Sequence, residues 1–317
     1  MLPAVLLAAA TVALWQEPSV SPDAVPFEVA ARGAPVPRQP FQFVKEELSG
    51  TSAKVMVRDA AGLLWQVKGG LEGRADAFAT RLASAVGYYA DAVWFLREGR
   101  IEGVRGSLGR AAGFVRPDGT FTYAAFELRD STARYVGDDV WTWTRNPFVG
   151  SAELRGLKLL VMLVSNWDNK DARDVRSGSN AGVVEVTGAS GEVRRTYFVN
   201  DWGQSFGSWG NILWLGRSNW NCGAYRSQTP EFVRVGPDSK LIFGYRGQHT
   251  ADFSNDITQA DARWLLRLLR RIRPEQIRAG LTASGASAAE ASCFAPALIE
   301  RIEVLRRAAE GGRRELP

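Results

Sequence analysis

The sequence holds one histidine, His249, and two cysteines, Cys222 and Cys293, in 317 residues. So few histidine and thiol ligands exclude an ordinary zinc site. A lone histidine with no serine or cysteine nucleophile patterned beside it also argues against histidine-based nucleophilic catalysis. The two cysteines leave two readings open: one disulfide in an exported chain, or a pair of free buried thiols. Long apolar runs are missing as well. The longest, Leu2 to Trp15, falls short of the ~20 residues of a transmembrane helix. It suits a signal-peptide core, with Thr11-Val12-Ala13 as a small-x-small cleavage pattern, although no lysine or arginine precedes it. Residues 1–15 are therefore expected to be a signal peptide or N-terminal anchor, and the protein to be exported, periplasmic or extracellular. No motif for reading RNA or DNA is present, and no internal repeat.

What is present is ordinary globular composition, 45% hydrophobic and 23% charged, with room for a large core. Tryptophan is abundant at 11 copies. Its indole N–H needs a partner when buried, so it suits cleft walls and strand faces, or a sugar-binding surface. Net charge is +5, and much of the excess lies in RLLRRIRP and LRRAAEGGRRELP near the C-terminus. These read as solvated helix faces rather than a nucleic-acid site.

Residues 16–40 carry six prolines and read as an extended linker without a core of its own. Strands are expected from Phe41 onward: FQFVKEELSG, then VMVRD, a turn at Asp59–Gly62, and LLWQVK. An apolar stripe of Phe78, Leu82, Ala85 and Val86 predicts a helix over 75–90, with Gly87 as its C-cap. Further strands are expected at Ile101–Leu108, Gly113–Val115 and Phe121–Leu128. The second half reads as more helical. A helix is expected from Ser151 to about Val164, and a strand over 192–200. Two more helices open with capping patterns, Thr258 to Asp261 and Ser287 to Glu290. The expected fold class is α+β: a β-rich N-lobe over 41–130 and a helical C-lobe over 131–310.

Three polar features end apolar elements. Lys68 closes a strand. SNWDNKDARD, residues 165–174, follows the apolar helix ending LKLLVMLV. Asp201 follows the strand TYFVN, inside NDWGQSFG. Asp and Asn side chains at such ends supply the hard oxygens that magnesium wants. A strand lysine can clamp phosphates, and a further aspartate can take the proton of an attacking hydroxyl. Each piece has a plain alternative: Lys68 as an exposed lysine, Asp76 favouring a helix dipole, Asn166 and Asp168 in an Asx-turn, Asp171 and Asp174 as surface charge. The ordered set of strand lysine, helix acid, Asn-x-Asp and Asp-x-Gly is what points to phosphoryl transfer.

The stretches Gly50–Gly70, Arg81–Asp91, Asn146–Asp171 and Val199–Gly207 resemble a group of exported bacterial proteins whose motifs read NNWDxKDxxN and SDLGASFG. That group in turn resembles atypical kinases of the HipA, phosphatidylinositol-kinase and secretory-pathway types. The resemblance implies a two-lobed kinase-like fold, ATP with Mg (or Mn) as cofactors, and a protein, lipid or sugar hydroxyl as acceptor, in a monomer. It assigns phosphate contact to Lys68 and orientation of Lys68 to Asp76, with Glu72 as competitor. Asp168 becomes the base and Asn166 shapes its loop. Asp201, with Asp171 and Asp174, becomes the metal set. Gly50, Thr51 and Ser52 offer backbone N–H groups to a phosphate. One position departs from the pattern: Arg173 stands where a metal-binding Asn is expected, with Asp174 next. An inactive kinase-like binding module, or a tryptophan-rich glycan-active protein, are the competing readings.

Overall fold

Alternation decides the first unit. Val55, Val57, Trp65, Val67 and Phe126 are fully buried, one on every second position of their strands. With Phe41 and Ile101 they fill the inside of a closed five-stranded barrel, seen in a computed structural model that describes residues 11–48, 52–129, 133–136, 141–169, 180–187, 191–210, 216–244 and 254–311. The strands are β2 (Phe41–Glu47), β3 (Lys54–Arg58), β4 (Leu64–Gly69), β5 (Val93–Glu102) and β6 (Thr120–Leu128), in the order β2-β3-β4-β6-β5. A short parallel pairing, Phe41 with Ile101 and Gln42 with Glu102, closes the ring. The turn into β4 forms where expected, because the Asp59 carboxylate accepts the N–H groups of Ala61 and Leu63 at 2.9 Å.

Two strand expectations shift. β5 begins at Val93 rather than Ile101, and Ile101 and Glu102 are its last two residues. Residues Arg110–Gly113 form a 3₁₀ turn, and only Val115 bridges to Phe121.

Helix α1 (Leu71–Ala85) leaves β4 after a single residue, Gly70. It starts and ends earlier than the apolar stripe predicts, with Gly87 at φ 93° beyond its end. Gly73 lets α1 lie against β6, since a Cβ there would stand 2.6 Å from that of Ala125. This close approach puts the second turn of α1, and Asp76 with it, over the outer face of β4.

Past the barrel the chain is not simply helical. A four-stranded sheet runs β1-β9-β8-β7, from β1 (Thr11–Ala13), β7 (Ala133–Tyr135), β8 (Ala181–Thr187) and β9 (Val193–Val199). A hairpin of β10 (Val233–Val235) and β11 (Leu241–Phe243) follows. The helices are α2 (Ala152–Leu163), α3 (Cys222–Ser227), α4 (Gln259–Leu269), α5 (Pro274–Ala283) and α6 (Ala288–Ala309). α2 is the central one, buried from Leu157 through Leu163. Ser151 caps it by accepting from Leu154 N–H at 3.1 Å. Both expected capping boxes form, Thr258 with Asp261 and Ser287 with Glu290. No described helix is long and apolar enough to cross a membrane.

The N-terminal segment corrects the linker expectation. Leu14, Phe27, Ala30 and Ala31 are core residues, and Trp15 packs edge-on against Trp264 with centroids 5.0 Å apart. Trp15 Nε1 donates to Val86 O at 2.7 Å, and Gln276 Nε2 donates to Pro22 O and Val25 O. The proline-rich stretch holds only two 3₁₀ turns, Pro22–Ala24 and Ala31–Gly33, yet it is part of the core. Thr11–Ala13, the expected cleavage pattern, pairs in parallel with β9 as β1. Cys222 and Cys293 form a disulfide joining α3 to α6.

Candidate functional site

Lys68 lies on β4 with its side chain on the outer face, because Trp65 and Val67 take the inner one. Its Nζ stands 3.1 Å from Glu127 Oε2 and 3.7 Å from Asp76 Oδ2. Glu127 is on β6 opposite Gln66, so it reaches Lys68 diagonally across the pair. Arg129 backs it at 2.9 Å. Burial opposes the charge on Lys68, but Glu127, Asp76 and Asp201 together raise its pKa, so it stays an ammonium. Burial pushes the Asp76 carboxyl well up despite Lys68, with Asp201 and Glu127 adding like charge. Burial acts on Glu127 too, but there Lys68 and Arg129 outweigh it and hold the carboxyl below its usual range.

Of the two helix acids, the structure brings Asp76 to Lys68. Glu72 accepts instead from Ser52 Oγ at 3.0 Å and from Gln204. The Ser52 hydroxyl is thus turned to α1, and Gly50 and Thr51 lie outside the described residues. Glu127 was missed by sequence reasoning. Its one signal was a lone acid within the otherwise apolar run AAFEL.

The Asp201 turn is held from three sides. Asp76 Oδ1 accepts from Trp202 N–H at 3.3 Å, tying α1 to the turn. Asn166 Nδ2 donates to Asp201 O at 3.0 Å, tying in the loop after α2. Asn219 Nδ2 donates to Gly203 O at 3.1 Å. Within the turn Asp201 Oδ1 accepts Gly203 N–H at 2.8 Å. Strand lysine, helix acid, Asn166 and the Asp-x-Gly turn are therefore linked through direct contacts.

Asp168 is bound by a residue that the sequence did not single out. Asn180, just before β8, donates its amide to Asp168 Oδ2 at 2.7 Å. Arg173, Asp171 and Asp174 lie outside the described residues. Beside Asp168, Asn166 and Asn169 are fully buried. Asn166 Oδ1 and both polar atoms of the Asn169 amide have no hydrogen-bond partner among the described residues. Among the described residues no three His, Cys, Asp or Glu side chains converge to hold a metal ion. The donor set nevertheless fits magnesium, which binds through one or two carboxylates, with water and substrate phosphates supplying the rest. Asp201 would hold the ion, with the amide oxygens of Asn166 and Asn169 at hand.

The base of that loop is pinned by Arg301 of α6, which is fully buried. It donates to Leu163 O at 2.9 Å, Ser165 Oγ at 2.7 Å, Tyr225 O at 2.6 Å and Thr229 Oγ1 at 3.1 Å. Its guanidinium also lies 3.5 Å from the Tyr225 ring centre. Ser165 takes a left-handed φ of 56° directly before Asn166.

Two other features stand apart from this set. A cavity of about 570 Å³ opens between the N-terminal segment and the end of α1, lined by Trp15, Phe27, Arg81 and Tyr88 among others, and by none of the residues around Lys68. The second is Asp91, between α1 and β5, which accepts from the Tyr135 hydroxyl while its Oδ2 is buried without a partner among the described residues. Burial, then Glu127, push this carboxyl up to about 6 against the pull of Tyr135 and Arg129. The folded state thus keeps a proton that the unfolded chain releases near pH 4. Stability attributable to Asp91 falls as pH rises from about 4 to about 6, and the full penalty remains above that. Asp91→Asn keeps an acceptor for Tyr135 and removes the charge. It is expected to stabilise by about 2 to 3 kcal/mol at pH 8 and by almost nothing near pH 4. Urea midpoints at the two pH values check this.

No family model matches the chain, and no curated protein matches it in sequence. Among solved structures, the Rio2 kinase from Chaetomium thermophilum, crystallised as an ADP/Mg2+-phosphoaspartate complex, is 11% identical. The match covers 86% of this chain and 72% of that one, with a TM-score of 0.27. This is a weak likeness to an atypical kinase, and a score that low does not establish a shared fold.

Proposed function

We propose that this chain is an ATP- and magnesium-dependent phosphotransferase of the atypical kinase type, acting on a hydroxyl of a protein, lipid or sugar. The observation that carries the reading is the linkage at Lys68. A buried lysine is held by Asp76, and Asp76 also holds the backbone of the Asp201 turn, to which Asn166 is bonded. On this reading the barrel is the N-lobe and the α2–α6 region the C-lobe, in a monomer.

Lys68 would bind the nucleotide phosphates, with Asp76 and Glu127 fixing its direction. Asp201 would hold magnesium, which supplies charge neutralisation to the phosphates. Asn180 would orient Asp168 through the hydrogen bond from its amide. Asp168 would accept the proton as the acceptor oxygen bonds to the γ-phosphorus and the bond to the β–γ bridging oxygen breaks, releasing ADP. Most of the catalysis is positioning and charge stabilisation, which the linked loops are built to supply.

Magnesium ATP at about a hundred times its Kd should raise the thermal midpoint by about 4 °C. Asp201→Ala should abolish the shift. No shift in the wild type, or an equal shift in Asp201→Ala, defeats the reading. The inactive-module alternative draws on the Asp168 carboxylate being engaged by Asn180. Phosphate transfer that is lost in Asp168→Asn rules that alternative out. The Cys222–Cys293 bond supports placing the protein in an oxidising compartment outside the cytoplasm. ATP is scarce there, so the transfer assay should include other polyphosphate donors.

A further inference from the structure

The β3–β4 register sets Lys54 directly opposite Lys68. Side chains so placed root about 5 Å apart, and like charges there repel. Both lysines lie on the outer face, since Val55 and Val67 point into the barrel. Their surroundings differ. Lys68 has Glu127 and Asp76 at its ammonium. Lys54 is half-buried and makes no ion pair among the described residues; Glu127 and Glu47 attract it only from beyond contact, while Lys68 and Arg129 repel it. Burial first, and Lys68 second, hold the Lys54 ammonium below its ordinary range. A fully solvated lysine could turn away into water. This one is partly covered and rooted beside another cation. An oxyanion between the two ammonium groups would satisfy donors on both and cancel the repulsion.

We propose that Lys54 and Lys68 form a two-lysine clamp for a phosphate chain, making Lys54 a specificity residue for polyphosphate ligands. The clamp rests on the kinase reading for its ligand, since the phosphate chain is that of the nucleotide. The chemistry it recognises is the polyphosphate itself, whether carried by adenosine or free.

Calorimetric titration of the full chain with magnesium ATP and with magnesium tripolyphosphate tests this, in the wild type, Lys54→Met and Lys54→Arg. Lys54→Met should weaken both ligands at least ~tenfold and flatten the salt dependence of binding. Its ligand-free thermal midpoint should be unchanged or higher, because the repulsion is gone. Lys54→Arg should keep affinity within about threefold, since it retains the charge. If the wild type binds ATP and Lys54→Met binds both ligands equally well, the clamp is overturned and the kinase reading stands. If tripolyphosphate binds in a Lys54-dependent way but ATP does not bind, the clamp stands and the kinase reading falls. Binding of neither ligand overturns both. A lowered midpoint in the ligand-free Lys54→Met protein, with Lys54→Arg equally weak in binding, would make Lys54 structural and also overturn the clamp.

Discussion

Arg301→Ala is expected to destabilise the protein by about 3 to 5 kcal/mol, the range of large-to-small changes in a packed core. Two effects oppose each other. Removing a buried guanidinium relieves its desolvation, and two of its acceptors keep other donors: Leu163 O has the Tyr225 hydroxyl and Tyr225 O has Thr229 Oγ1. Against this, the stack on Tyr225 is lost, a space the size of the side chain opens between α2, α3 and α6, and Ser165 loses its Arg301 contact. The loss wins, because alanine can neither fill the space nor replace the donors. Arg301→Met fills part of the space and should recover part of the stability. Urea unfolding should show a lower midpoint with an unchanged slope. Ser165 sits in a strained left-handed conformation that Arg301 helps to hold. Both variants should therefore also weaken nucleotide-dependent stabilisation, methionine included. A methionine variant with full nucleotide response would separate this pin from the site.

Much of that site was legible in the sequence, and the limits have physical causes. Lys68 and Asp201 stand at the ends of alternating apolar runs, and alternation says which face they take. Asp76 and Glu72 could not be separated in this way, because the choice depends on how α1 is rotated over β4, which Gly73 and Ala125 decide by their small size. Glu127 depends on strand register, and no local pattern reveals a diagonal partner. Asn180 reaches Asp168 across 12 residues that carry no periodic signal. The prolines of residues 16–40 reported the absence of α-helix and strand, leaving two short 3₁₀ turns; burial of Phe27 against α1 and α5 is a separate property that they do not govern.

Reduction of the Cys222–Cys293 bond is the second change with a large expected effect. The bond closes a loop of 71 residues, and such a loop adds about 4 kcal/mol by restricting the unfolded chain. Dithiothreitol should lower the thermal midpoint by about 6 °C. A Cys222→Ser, Cys293→Ser double variant should start at that lower value and ignore the reductant. An oxidised protein no more stable than the reduced one would refute the estimate. The site should respond as well. Residues 218–221, just before α3, contact the Asp201 turn: Asn219 binds Gly203 O, and Trp220 N–H donates to Ser205 O at 3.0 Å. Loosening α3 from α6 relaxes the outer wall of that turn, so reduced protein should bind nucleotide more weakly.

The buried N-terminal segment has a consequence for how the molecule is made. Glu17 pairs with Arg267 at a separation of 250 residues, and Pro22 with Gln276 at 254. Synthesis delivers Leu14, Phe27 and their neighbours long before the surfaces of α4 and α5 that cover them. The barrel, by contrast, contains all its partners within residues 41–128. It can assemble while the rest is still being translated, whereas the N-terminal segment must wait for contacts of long sequence separation, which form slowly. Docking of the first residues onto α4 and α5 is thus expected among the last steps of folding, and until then their apolar side chains are exposed to other chains and to proteases.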